Sequence, residues 1–383
     1  MPNAEHAAVP LVVFCHLRWD FVYQRPQHLL SRIAKHRRVV VIEEPVADAA
    51  GAARWERSMP EPNVLVCRPR TPSRAAGFGG EQLPSLTNLL GALAAEEGLH
   101  GAVAWLYTPL ALSLAETLDP SIVVYDCMDE LSLFLNAPPD LPEREAELMA
   151  RADVMFAGGR SLYRAKHDRH ANIFCFPSSV DALHFRQAAG PEPVVADAPD
   201  QATLPHPRLG FYGVIDERLD LSIVDALARA HPEWQIVMVG PVVKIDPATL
   251  PRHPNLLWTG QRRYDELPAY LAGWDVCLLP FALNDATRFI SPTKTLEYMA
   301  AERPIVSTPI TDVADSYGDV VALARTPADF VAACEASLAE TDVERTRRIG
   351  HMRAILAHTS WDATATSMQH LVAKAHARRQ AVA

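Results

Sequence analysis

The residues best suited to chemistry lie in one short stretch, Ser291-Pro292-Thr293-Lys294-Thr295-Leu296-Glu297. Ser291 suits a helix N-cap and Pro292 the first helical position, so a helix is expected to start there. Lys294 then stands in the first turn, where the helix dipole favours anions over cations. A bound anion is one resolution of that mismatch: Lys294 and the free backbone N–H groups would hold a phosphate. Glu297, three residues on, shares a face with Lys294. The alternative is an exposed Lys294–Glu297 pair on a solvated helix, contributing about a few tenths of a kcal/mol.

Two earlier segments also carry reactive side chains. His16, Arg18, Asp20 and Arg25 follow the apolar run 11–14. His16 and Asp20 could assist proton transfer, and Arg18 or Arg25 could meet a phosphate or an anionic acceptor. The other reading is a loop packed by Trp19, Phe21 and Tyr23 with its charges solvated. Asp126 and Asp129 follow the apolar run 122–125. A carboxylate at a strand's C-terminal end can act as general base toward a hydroxyl, although Asp129 could instead cap the next helix. Glu143, Glu145 and Glu147 open a helical stretch, favour its dipole and read as structural.

The elements that must position these residues alternate along the chain. Strand-like runs at 209–213, 234–240, 255–260, 275–281, 304–308 and 320–324 are apolar on both faces, as in parallel sheets covered by helices. Helical periods separate them at 221–230, 264–273, 292–302 and 328–339. The first half repeats the scheme, with strands near 11–16, 38–43, 63–67, 103–107, 122–125, 153–157 and 172–176. The fold class is therefore α/β, two Rossmann-like doubly wound domains facing across a cleft. The expected division is 1–188, a proline-rich linker 189–207, and 208–360, with a helix at 361–383 that could pack back on the first domain.

Composition agrees. With 383 residues, 49% hydrophobic and 21% charged, the chain is an ordinary globular protein of about two domains. A net charge of −10 argues against a general nucleic-acid binder. No apolar run approaches the roughly 18 residues of a membrane span. No basic stretch precedes the first apolar segment, so the N-terminus does not read as a secretory signal. Six scattered cysteines without a C-x-x-C pair argue against a zinc or disulfide framework and fit a reducing cytoplasm. Basic clusters at 32–38 and at Lys374, Arg378 and Arg379 sit at helix ends, which favour cations. The sharper reading is peripheral contact with an anionic membrane at its inner face.

The stretch S-P-T-K-T-L-E-Y-M-A-A-E-R-P-I-V-S-T resembles the nucleotide-sugar signature of GT-B glycosyltransferases, in particular the retaining family 4 (glycosyl transferases group 1). Ser178-Ser179-Val180-Asp181 with Phe185, the 209–213 run followed by Arg218, Met238-Val239-Gly240-Pro241 and Trp361 resemble further landmarks of that family. The run Trp19–His28 resembles a bacterial surface-polysaccharide subgroup of the teichuronic-acid kind. The resemblance implies transfer of a hexose, with retention, from a nucleoside-diphosphate sugar such as a UDP- or GDP-sugar to a saccharide or lipid-linked hydroxyl acceptor. It places Arg218, Lys294, Ser291, Thr293 and Gly213 at the donor diphosphate and Glu297 at the ribose hydroxyls. Arg263 and Tyr264 fall near the base, Asp126, Asp129 and His16 at the chemistry, and Arg18, Asp20 and Arg25 on the acceptor side. Phe289 stands where the family has its first motif glutamate, which contacts the donor sugar. No D-x-D triplet occurs, so the transfer is expected to need no metal and no other cofactor. The alternatives are a nucleotide-sugar epimerase of the same fold and a non-catalytic sugar-nucleotide-binding protein.

Overall fold

The computed structural model describes residues 9–382, which form two compact units. The first comprises residues up to 132, 137–176 and 362 onward; the second comprises 133–136 and 177–361.

In the first unit the strands are β1 (Leu11–Cys15), β2 (Val39–Glu43), β3 (Val46–Ala47), β4 (Arg54–Glu61), β5 (Val64–Thr71), β6 (Val103–Leu106), β7 (Ile122–Cys127), β8 (Val154–Ala157) and β9 (Ile173–Cys175). Among the described residues they form one sheet in the order β3-β5-β2-β1-β6-β7-β8-β9. Pairing is parallel, except that β4 runs antiparallel on β5. The sequence pattern gave no hint of β4. Its residues RWERSMPE are mostly exposed and carry no apolar period, and its arginines are tied to carboxylates, Arg57 to Glu96 at 2.6 Å among them. The helices Arg25–Ile33, Leu83–Glu97 and Leu141–Arg151 belong to this unit, as does the long Trp361–Val382 helix from Asp362 onward.

The second unit's strands are β10 (Arg208–Tyr212), β11 (Gln235–Val239), β12 (Leu256–Gly260), β13 (Val276–Leu279), β14 (Ile305–Ser307) and β15 (Ala322–Leu323). They run parallel in the order β12-β11-β10-β13-β14-β15, the doubly wound arrangement. Side chains alternate across the sheet, as a strand's period of two requires. Leu209, Phe211, Ile236 and Met238 join one core with helices Leu221–Ala230 and Pro327–Leu338. Tyr212, Val237, Val239 and Leu279 join the other with helix Thr293–Ala300.

The expected linker is instead part of the second unit. Asp197, Asp200 and Gln201 lie among its prolines and strap it down. Gln201 is fully buried, accepts from Trp274 Nε1 at 2.9 Å and donates to the Tyr270 carbonyl at 2.9 Å. Asp197 pairs with buried Arg208, and Asp200 accepts from Tyr270 Oη at 2.6 Å. Residues 177–188 also fall in the second unit rather than the first, because Val180 and Phe185 are buried in its core. No helix among the described residues is long and apolar enough to cross a membrane.

Candidate functional site

The second sheet reverses its order between β10 and β13, and open α/β sheets bind ligands beyond the carboxyl ends of the strands at such a point. β10 runs out there into Gly213, whose φ is +143°. A Cβ on Gly213 would lie 2.9 Å from Lys294 Cε and 3.2 Å from Nζ. Glycine therefore lets the lysine stem pass against the backbone. Gly240, with φ of +147°, backs the same turn, and a Cβ there would collide with the Gly213 carbonyl.

The helix begins one residue later than its sequence suggested. Its span is Thr293–Ala300 and its N-cap is Pro292, not Ser291, because the proline ring fixes φ at −68° while ψ stays extended at 116°. Ser291 is held outside the helix, its carbonyl accepting from Ser178 Oγ at 2.6 Å, and Thr293 Oγ1 lies 3.4 Å from the same hydroxyl. Proline offers no capping side chain. The Thr293 and Lys294 amides accordingly donate to no acceptor among the described residues. These are the groups with which a helix N-terminus grips an anion.

Lys294 is half-buried, with Nζ 5.6 Å from the Phe211 ring centre and 5.4 Å from that of Phe281. Among the described residues no carboxylate lies within ion-pair distance of it. Burial pushes its pKa below the usual lysine range, and nearby Arg218 adds to the fall, while Glu297 and Asp216 oppose it. Glu297 is 5% exposed and accepts from Tyr212 Oη at 2.5 Å. Burial pushes its carboxyl up, against the pull of Tyr212 and Lys294. The exposed-pair alternative is thereby excluded: both groups are withdrawn from water, and Glu297 spends its hydrogen bond on Tyr212.

The aromatic rings continue from there. Tyr212 lies 6.3 Å from Phe185, and Tyr264 is edge-on to Phe185 at 5.5 Å while stacking on His184 at 4.4 Å. Tyr264 thus belongs to the wall that carries Glu297. Arg263 does not: its side chain is 76% exposed and turns to Asp265 at 2.7 Å. Neighbouring Arg262 goes to Asp200, also at 2.7 Å. Arg218 is bound through Nε and Nη2 to Asp216 at 3.0 and 2.7 Å and lies 5.5 Å from the Phe134 ring.

The first unit rearranges several expectations. Asp126 is fully buried, and Arg25, itself 5% exposed, binds it through Nε and Nη2 at 3.1 and 2.8 Å. Tyr107 is a further buried neighbour of this pair. A carboxylate so enclosed is not placed to take a proton from an incoming hydroxyl, and Arg25 is not placed to meet an acceptor. The two are a structural ion pair. Arg25 also donates to the Phe176 carbonyl at 2.8 Å. Arg18 reaches Glu43 and the Glu44 carbonyl, and Asp20 pairs with Arg68 at 2.8 Å. Glu43, fully buried at the end of β2, organises this loop by accepting from Trp19 N at 2.7 Å and Arg68 Nε at 2.6 Å. Its one sequence signal is a charge closing an apolar run. His16 and Asp129 are half-buried and stand just beyond β1 and β7. Glu145 is structural, though not as a dipole partner: it is buried and takes Lys166 Nζ on both oxygens at 2.7 Å.

Residues 206–340 match the family model described as glycosyl transferases group 1. The Bacillus subtilis (strain 168) protein named "Putative teichuronic acid biosynthesis glycosyltransferase TuaH" is 30% identical over 142 residues, a match spanning 36% of each chain. Among solved structures, sucrose-phosphate synthase from Thermosynechococcus elongatus superposes with a TM-score of 0.71 at 15% identity, covering 97% of this chain and 100% of that one. An E. coli structure titled trehalose-6-phosphate bound with UDP-2-fluoro glucose gives 0.68 at 13%, covering 94% and 98%. Anabaena HepE in complex with UDP and glucose gives 0.65 at 16%, covering 95% and 99%.

Proposed function

We propose that the chain is a nucleotide-sugar-dependent glycosyltransferase, because residues 206–340 match the family model described as glycosyl transferases group 1 and the chain folds as two Rossmann-like domains of GT-B type. The observation that carries this reading is Lys294: a half-buried ammonium without an ion-pair partner among the described residues, beside an uncapped helix N-terminus and one turn from Glu297.

In this reading the donor diphosphate lies on the Thr293 and Lys294 amides and the Lys294 ammonium, with Ser291, Gly213 and Arg218 around it. Glu297 accepts from the ribose hydroxyls, a charge-assisted contact. Tyr264 offers the base an aromatic wall. The bond from the sugar's anomeric carbon to the diphosphate oxygen breaks, a bond from that carbon to the acceptor oxygen forms, and the acceptor proton passes to a base. Asp129 and His16 are the first-unit candidates for that base. Preorganised cations and amides act on the charge that develops on the leaving diphosphate, and such terms are commonly the largest in catalysis. They would do without a metal ion what a metal does elsewhere. The likeness to the protein named for teichuronic acid biosynthesis favours a saccharide acceptor in surface polysaccharide synthesis. The reading extends to a lipid-linked acceptor, to hexosyl transfer and to retention at the anomeric carbon.

The test is nucleoside-diphosphate binding, by thermal shift and calorimetry, followed by sugar turnover. Glu297→Ala and Lys294→Ala should each weaken UDP or GDP binding at least tenfold with the fold intact, and EDTA should leave turnover unchanged. Wild-type affinity in both variants would refute the site. Nucleotide binding without turnover of any donor would favour the non-catalytic reading that Phe289 motivates.

A further inference from the structure

The first unit has a pocket at the opposite edge of its sheet from the strands' carboxyl ends. Its cavity of about 450 Å³ is lined by His36 and Arg37 ahead of β2, Val103 at the start of β6, and Val372, His370 and His376 from the Trp361–Val382 helix. That volume lies within the range of small-molecule sites.

The charges around the pocket are unevenly matched. In the basic run before β2, Arg32 pairs with Asp362 at 3.0 Å, Lys35 with Asp362 at 3.9 Å and Arg38 with Glu97 at 2.9 Å. On the long helix, Arg379 pairs with Asp153 at 3.0 Å. Arg37 differs from all of these. It is half-buried, and among the described residues no carboxylate or carbonyl takes its guanidinium. Burial pushes its pKa below the usual arginine range. A partly desolvated guanidinium is a fork of donors that matches phosphate or carboxylate in two-point contact. Three imidazoles around it add hydrogen-bond donors, and Val103 and Val372 supply an apolar wall.

We propose that this pocket is a second ligand site, taking an amphipathic phosphate monoester whose head meets Arg37 and the histidines and whose carbon body lies on the valine wall. The head could come from a soluble metabolite or from a lipid.

Calorimetry of the full chain with hexyl phosphate tests this, with 1-hexanol as the neutral control carrying the same tail. Hexyl phosphate should bind and 1-hexanol should not. Arg37→Gln should weaken binding at least tenfold, His370→Gln should weaken it several-fold, and Lys294→Ala should leave it unchanged. His370 is exposed, so that variant keeps the test valid should Arg37→Gln fold poorly. Equal binding of the two probes, or undiminished binding in both variants, would overturn the proposal. Arg37-dependent sedimentation with phosphatidic acid vesicles, absent with phosphatidylcholine, would assign the head to a lipid. Binding of hexyl phosphate without vesicle sedimentation would assign it to a soluble monoester.

Discussion

Lys294 gives two pH dependences of opposite sign. Its pKa is lowered in the folded chain, so the unfolded chain binds more protons across the window from that lowered value up to the ordinary lysine value. The unliganded protein should therefore gain stability as pH rises through that window. A diphosphate favours the ammonium form, so nucleotide affinity should fall over the same interval, with proton uptake on binding. Calorimetry in buffers of different ionisation enthalpy measures the uptake, and Lys294→Met should abolish it. Arg25 gives the second residue-scale prediction. Arg25→Ala leaves Asp126 charged and buried, which costs about 3–5 kcal/mol by chemical denaturation. An acceptor-side role would instead raise KM at unchanged stability. Residue types were legible here, but environments were not. Lys294 and Glu297 were readable as a phosphate site or an exposed pair, and only packing against Phe211, Phe281 and Tyr212 separates the two. Arg25 and Asp126 are 101 positions apart, so nothing local marks them as partners.

Among the elements, the turn after β10 is the one on which the site depends. Gly213→Ala adds a methyl at φ of +143°, a conformation that costs roughly 1–3 kcal/mol. It also presses on the lysine stem, so nucleotide binding should drop by more than the lost stability explains. Thermal melts and titration on one sample separate the two effects. Parallel strands were readable because residues such as Ile236-Val237-Met238-Val239 are apolar on both faces, and the two cores claim them alternately. β4 was not readable, since an exposed strand built on arginine–glutamate pairs shows no period. The 189–207 segment was misleading for a related reason. Its prolines resemble a spacer, while the contacts that pack it come from isolated side chains such as Ala198, Leu204 and Gln201, with no period to mark them.

At the scale of the whole molecule the chain leaves the first unit at residue 176 and returns to it at 362. The returning helix supplies Asp362 to Arg32 at 3.0 Å and buried Met368 to Arg25 at 4.0 Å. Truncation after Trp361 should therefore destabilise the first unit, read as an early unfolding step, and leave nucleotide binding by the second unit near wild type. Biosynthesis inherits the same ordering. At roughly 5–20 residues per second, the ribosome needs roughly 10–40 s between finishing residue 176 and releasing the last turn of that helix. During that interval the earlier-made half waits without its closing segment while the later-made half can already fold. A nascent-chain chaperone would find its client in the first unit.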